Sequence, residues 1–271
     1  MSRRLYMSAA RRETLAARLT ARDWAVIETL ARVHLAQTRQ LERLHFHGGT
    51  PLSNTRACRH TLERLTGERV LARLDRRIGG IRAGSDSFVY ALDVAGQYLV
   101  YDRVGDPDRR VQRPWTPGAA FTRHVLLVTE LYTRLVEAEC RDDLELLDFD
   151  AEPTCWRRFA GPGGARQILK PDAFVRIGLG QFVDAWFVEV DRSTESSTTI
   201  ERKLHLYRRY WSTGREEARR GVFPQVLFLV PDERRRQAIV DLCRRQPAET
   251  WSLYRVALFD VAVPVMSEVS P

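Results

Sequence analysis

Two apolar runs broken by acids constrain this chain most. Residues 170–195 read KPDAFVRIGLGQFVDAWFVEVDRSTE, with Phe174 to Ile177 and Phe182 to Val190 patterned as buried strands joined by a tight GLGQ turn. Asp172, Asp184, Glu189 and Asp191 interrupt them. A carboxylate on a buried strand is costly unless it is paired or binds a metal. Side chains alternate along a strand, so Phe187, Glu189 and Asp191 share one face and Asp184 takes the other. Lys170 and Asp172 share a face of the preceding segment. Paired strands would bring Asp172, Glu189 and Asp191 together at the sheet's end. Three such carboxylates repel one another unless a hard divalent cation, Mg²⁺ or Mn²⁺, bridges them.

The surrounding pattern implies a mixed sheet covered by helices, an α/β domain over 119–262. AAFTRHVLLVTELYTRLVEAE reads as a helix, LELLDFDAEP and CWRRFA as strands. TIERKLHLYRRYWS follows as a helix with a Thr198–Glu201 capping box, then QVLFLVP, DERRRQAIVDLCRR and SLYRVALFD as strand, helix and strand. Tyr207 shares the Lys203 face of its helix and reads as packing. A tail, 263–271, follows.

Charge divides the chain. Residues 1–115 hold 21 Lys+Arg against 12 Asp+Glu, leaving 22 against 23 in the remainder of a chain whose net charge is +8. An anionic partner is therefore expected for the N-terminal part alone. Of 43 basic residues only Lys170 and Lys203 are lysines, and both flank the acids. A compact ammonium can approach a reacting oxygen where a guanidinium cannot.

After a basic segment, 1–19, a domain is expected over 20–101. TARDWAVIETLAR is a helix capped by Thr20, with Ile27, Leu30 and Ala31 inward. TRQLERLHF is a shorter helix capped by Thr38. NTRACRHTLERLTG is a third, capped by Ser53 and stopped by Gly67. Its Cys58, Leu62 and Leu65 face inward, while Arg56, Arg59, His60, Glu63 and Arg64 point away. A strand, a Gly-rich turn carrying Arg76, Arg77 and Arg82, and a second strand complete a basic hairpin. Three helices and such a hairpin make a winged helix-turn-helix, whose third helix enters the DNA major groove while the wing touches phosphates. Double-stranded DNA is the expected partner, and a homodimer is left open. Residues 102–118, rich in Pro, Gly and charge, read as the linker.

Other classes fall away. No apolar run is long enough to span a bilayer, and the arginine-rich N-terminus lacks a secretory core, so a cytoplasmic protein without a membrane partner is expected. Cys58, Cys140, Cys155 and Cys243 form no CxxC pair, giving neither a zinc site nor a disulfide framework. His34, His45 and His47 have no carboxylate at ligand spacing and read as structural or solvent-exposed.

Pro171-Asp172 opening one strand, then Glu189-x-Asp191 where E-x-K is usual, resembles the PD-(D/E)xK nuclease fold. That resemblance implies Asp172 and Glu189 as metal ligands. Asp191 stands at the usual lysine position, so Lys203 from the following helix or Lys170 would supply the ammonium. Glu130 or Glu137 would be the helical acid that some members add. The order of LTARDWAVIETLARVHLAQTRQLERLHF, VYALDVAGQYLV, RH…LYTRL and PDAFV…FVEVDRSTES…KLHLYRRY also resembles the replication-relaxation proteins of actinobacterial plasmids and mobile elements. Two functions follow from these resemblances. One is a Mg-dependent DNA endonuclease or nickase acting in plasmid replication or DNA transfer. The other is a non-enzymatic replication accessory factor or transcription regulator, whose nuclease-like domain serves partner or dimer contacts.

Overall fold

In the computed structural model, residues 6–74, 88–106, 109–114 and 117–268 are described. The chain divides into two compact units, Met1–Thr133 and Arg134–Pro271.

The first unit opens with α1 (Ala9–Ala16), capped by the Ser8 hydroxyl, inside the segment read as a basic lead-in. Helix α2 (Ala21–Val33) starts at Thr20 as expected. The Thr20 hydroxyl accepts the Asp23 N–H, and Asp23 accepts the Thr20 N–H. After β1 (Ala36–Gln37), helix α3 (Thr38–His45) is capped from Gln37, not Thr38. The Gln40 side chain takes the Gln37 N–H at 3.0 Å, and the Thr38 hydroxyl turns to the Phe88 carbonyl at 3.3 Å. Helix α4 (Pro51–Gly67) begins at Thr50 rather than Ser53. Pro51 needs no amide partner in the first turn, and the Thr50 hydroxyl accepts the Ser53 N–H.

Strands β2 (Leu71–Leu74) and β3 (Val89–Leu92) pair antiparallel, and β1 adds to β3, giving the order β1-β3-β2. Helix α5 (Val94–Arg103) follows directly, started by Asp93. Its Gly96 is required by proximity, since a β-carbon there would lie 2.3 Å from the Val70 carbonyl oxygen. Val26, Ile27, Leu30, Leu41, Cys58, Leu62, Leu65, Leu71 and Leu99 form this unit's core. Helix α6 (Ala119–Glu139) contains the point of division between units, within what reads in the sequence as the second domain.

The second unit is built on β4 (Glu145–Ala151), β5 (Arg157–Ala160), β6 (Arg166–Leu169), β7 (Ala173–Leu179) and β8 (Phe182–Val190). Helices α7 (Ser197–Trp211) and α8 (Arg215–Arg220), β9 (Gln225–Val230), α9 (Glu233–Arg244), β10 (Tyr254–Leu258) and α10 (Ala262–Ser267) complete it. The five-stranded sheet runs β10-β9-β8-β7-β4, parallel through β10, β9 and β8 and antiparallel through β8, β7 and β4. The mixed sheet and the β7–β8 hairpin are as the alternation predicts, and Gly180 supplies the positive φ of its turn. β5 and β6 form a separate two-stranded sheet. The expected Thr198 cap of α7 is displaced to Ser196, whose hydroxyl takes the Thr199 N–H at 3.2 Å. Phe174 and Phe187, opposite each other in the ladder with ring centres 5.4 Å apart, carry the core onto Tyr207 and Tyr210 of α7.

Candidate functional site

The β7–β8 register sets Ala173 opposite Val188 and Phe174 opposite Phe187. Asp172, one residue before β7, donates its N–H to the Val188 carbonyl at 3.0 Å and acts through its charge on Glu189. Opposed residues of an antiparallel pair share a face. This is the face on which Phe174 and Phe187 meet α7. Asp172 and Glu189 are both buried. Asp172 Oδ2 accepts the Val190 N–H at 2.7 Å. Glu189 receives one donor on each oxygen: Lys203 Nζ at 2.8 Å on Oε2 and the Tyr207 hydroxyl at 2.6 Å on Oε1. Lys203 and Tyr207 stand one turn apart on α7, so one helical face serves one carboxylate. Tyr207, expected only to pack, is thus a ligand of Glu189.

Burial raises the Glu189 carboxyl against the pull of the Lys203 charge, and Asp172 adds to the rise. For Lys203, burial works to lower the ammonium, but the Glu189 and Asp172 charges outweigh it and hold it protonated. Burial and then Glu189 push the Tyr207 phenol upward, keeping it a donor. Lys203 also touches Glu195 Oε1 at 2.9 Å, an acid that the strand pattern did not single out because it lies in the β8–α7 loop.

Asp191 does not join the pair. β8 ends at Val190, and the buried Asp191 carboxylate is bound by Arg235 of α9. The expected three-acid repulsion is reduced to that between Asp172 and Glu189, and each acid has its own donor: an ammonium for Glu189, a guanidinium for Asp191 and a backbone amide for Asp172. Among the described residues, no three His, Cys, Asp or Glu side chains are grouped to hold a metal ion. Two carboxylates remain, and Mg²⁺ takes one or two of them alongside water and phosphate. A carboxylate offers about four acceptor sites, and Glu189 spends one on Lys203 and one on Tyr207. Asp172 and Glu189 therefore fit such an ion in number and kind.

Lys170 is exposed, with its ammonium 4.5 Å from the Trp156 ring centre. Glu130 is taken up inside the first unit, where it receives Arg43 at 2.8 and 3.0 Å and Gln40 at 3.1 Å. Glu137 is half-buried on α6, and its neighbour Glu139 caps the Leu146 N–H at 2.8 Å.

On α4, Arg56, Arg59, His60 and Glu63 are exposed, opposite the buried Cys58, Leu62 and Leu65. Arg64 departs from the expected face: its guanidinium binds the buried Asp23 of α2. Arg76, Arg77 and Arg82 lie outside the described residues. A cleft of about 920 Å³ runs beside α4, with Arg39 and Arg43 of α3, Arg59 and Glu63 of α4, and Arg73 and Phe88 of the hairpin on its walls. Arg73 stacks 4.4 Å from the Phe88 ring centre. Arg39 and Arg73 stand neither on the third helix nor in the Gly-rich turn, so the sequence pattern did not point to them.

A mixed α/β chain with a basic helical unit and an acid–lysine sheet face is the class this architecture defines. The chain belongs to the replication-relaxation family, whose model matches residues 27–226. Membership supports a role in plasmid replication or mobility. No curated protein and no solved structure matches the chain. Among the described residues no helix is long and apolar enough to cross a membrane.

Proposed function

We propose that this chain is a DNA-binding protein of a plasmid or mobile element that hydrolyses phosphodiester bonds with Mg²⁺ or Mn²⁺. Its first unit would act as a winged helix-turn-helix and its second as a PD-(D/E)xK-like nuclease. The observation that carries the reading is the Asp172–Glu189 pair with Lys203 2.8 Å from Glu189. Asp172 and Glu189 would hold the ion, which when bound supplies positive charge at the scissile phosphate. Lys203 would donate to a phosphate oxygen and neutralise charge that grows there. Tyr207 fixes the Glu189 carboxylate. On α4, Arg56, Arg59 and His60 would meet the major groove, with Arg76, Arg77 and Arg82 on phosphates.

A second reading, a non-enzymatic accessory factor or regulator, is favoured by Asp191. The residue at the usual lysine position is bound to Arg235, and each acid already has a donor. Thermal melting separates the two. Saturating Mn²⁺ stabilises a protein that binds it, by about 3 kcal/mol at a hundredfold excess over Kd. Wild type should melt higher with Mn²⁺, and Asp172→Asn should not. A wild-type melting point indifferent to Mn²⁺ leaves the accessory-factor reading.

A further inference from the structure

Lys203 has one charge and two carboxylate partners of unlike character. Glu189 Oε2, at 2.8 Å, belongs to a buried strand residue whose other oxygen is bonded by Tyr207. Glu195 Oε1, at 2.9 Å, belongs to a side chain 30% exposed in the loop between β8 and α7. The other Glu195 oxygen, Oε2, is buried with no hydrogen-bond partner among the described residues. An unpaired carboxylate oxygen away from water is unfavourable. The same loop holds Ser193 at φ 58°, a left-handed conformation that a β-carbon disfavours. The loop's backbone is tied by Arg235 to the Glu195 carbonyl at 2.8 Å, so the side chain can leave while the loop stays.

Glu189 is therefore the fixed partner of Lys203 and Glu195 the exchangeable one. A replacement must be an anion that reaches the ammonium from the solvent side with more than one acceptor oxygen. A phosphodiester meets that description, and it is the group that the DNA-cleaving reading brings to this face. Resting on that reading, we propose that the Glu195 carboxylate occupies the position of a DNA phosphate oxygen at Lys203 and is displaced when a DNA strand docks. Glu195 would then keep Lys203 from gripping phosphates indiscriminately, acting as a positioning residue that sets how readily DNA enters the second unit.

The test is binding of the full chain to a short duplex oligonucleotide, followed by fluorescence anisotropy across a salt series. Glu195→Ala should bind several-fold tighter than wild type and steepen the log–log salt slope by about 0.9, one added phosphate contact. With Lys203→Met in both backgrounds, the difference should vanish. Lys203→Arg, which keeps the charge, serves if Lys203→Met does not fold, and should retain part of the gain. Wild-type binding that Glu195→Ala leaves unchanged overturns the inference alone, as does a gain that survives Lys203→Met. If neither wild type nor any variant binds the duplex, the DNA-binding reading falls and the inference with it.

Discussion

Arg59 and Arg64 share α4 and meet different surroundings. Arg59 is exposed beside the cleft, whereas Arg64 is half-buried on Asp23, which is 1% exposed. Removing Arg64 strands a buried carboxylate that keeps the Thr20 amide but loses its counter-charge. Arg64→Ala should therefore lose about 1–3 kcal/mol of stability by urea unfolding. Arg59→Ala should leave the unfolding midpoint nearly unchanged and weaken duplex binding by about 1–3 kcal/mol if it reads a guanine edge. Helical spacing alone placed both on the outer face. The difference is not legible in the sequence because Asp23 approaches from another helix.

His45 carries a pH dependence with a definite sign. Burial, then the nearby His47 and Arg22, lowers its pKa from 6.5 to about 4, and its Nε2 lies 2.9 Å from the Thr29 hydroxyl. The fold thus favours the neutral ring. Its contribution is complete above the unfolded value of 6.5 and is lost as pH falls through about 4. The full effect is at most about 3 kcal/mol. His45→Gln should flatten the decline of stability across that window, read from urea midpoints at several pH values. A decline equal to wild type would assign it to other groups.

At the scale of elements, the strands around the acids are legible and the helix starts less so. The β7–β8 hairpin follows from strict alternation and a Gly turn, and with it the shared face of Asp172 and Glu189. The caps move by one to three residues, from Thr38 to Gln37, Ser53 to Thr50 and Thr198 to Ser196, because neighbouring polar side chains compete for the same first-turn amides. Asp191 could not be placed from its strand, since its partner Arg235 lies on α9, beyond β9. The α8 residue Glu216 was hidden for the same reason. Buried on the short helix after α7, it takes Arg157 at 3.0 Å, Arg220 at 3.0 Å and the Tyr210 hydroxyl at 2.6 Å. Both guanidinium groups also stack on Phe174, at 4.8 and 4.7 Å from its centre. Glu216→Ala leaves two largely buried cations unpaired and should destabilise the chain by about 3–5 kcal/mol. A loss under about 1 kcal/mol would show that solvent screens the pair.

At the scale of the whole molecule, charge and chemistry fall in different parts of the chain. The basic excess lies in residues 1–115, and the Asp172–Glu189–Lys203 group lies in the second unit. On the proposed reading, the basic first unit would raise the local concentration of DNA whatever the second unit does. That division is legible from composition, whereas strand alternation gives a three-carboxylate cluster from which Arg235 takes Asp191 away. Lys203 rather than Lys170 at Glu189, and Glu195 beside it, required the path of α7 and the loop before it. The most direct measurement is incubation of supercoiled plasmid with Mg²⁺ or Mn²⁺, comparing wild type with Glu189→Gln. Wild type should convert the plasmid to nicked or linear form. Glu189→Gln should bind the same DNA and leave it supercoiled. A wild type that binds but never cuts, or a Glu189→Gln variant that cuts as fast as wild type, would contradict phosphodiester hydrolysis at this face.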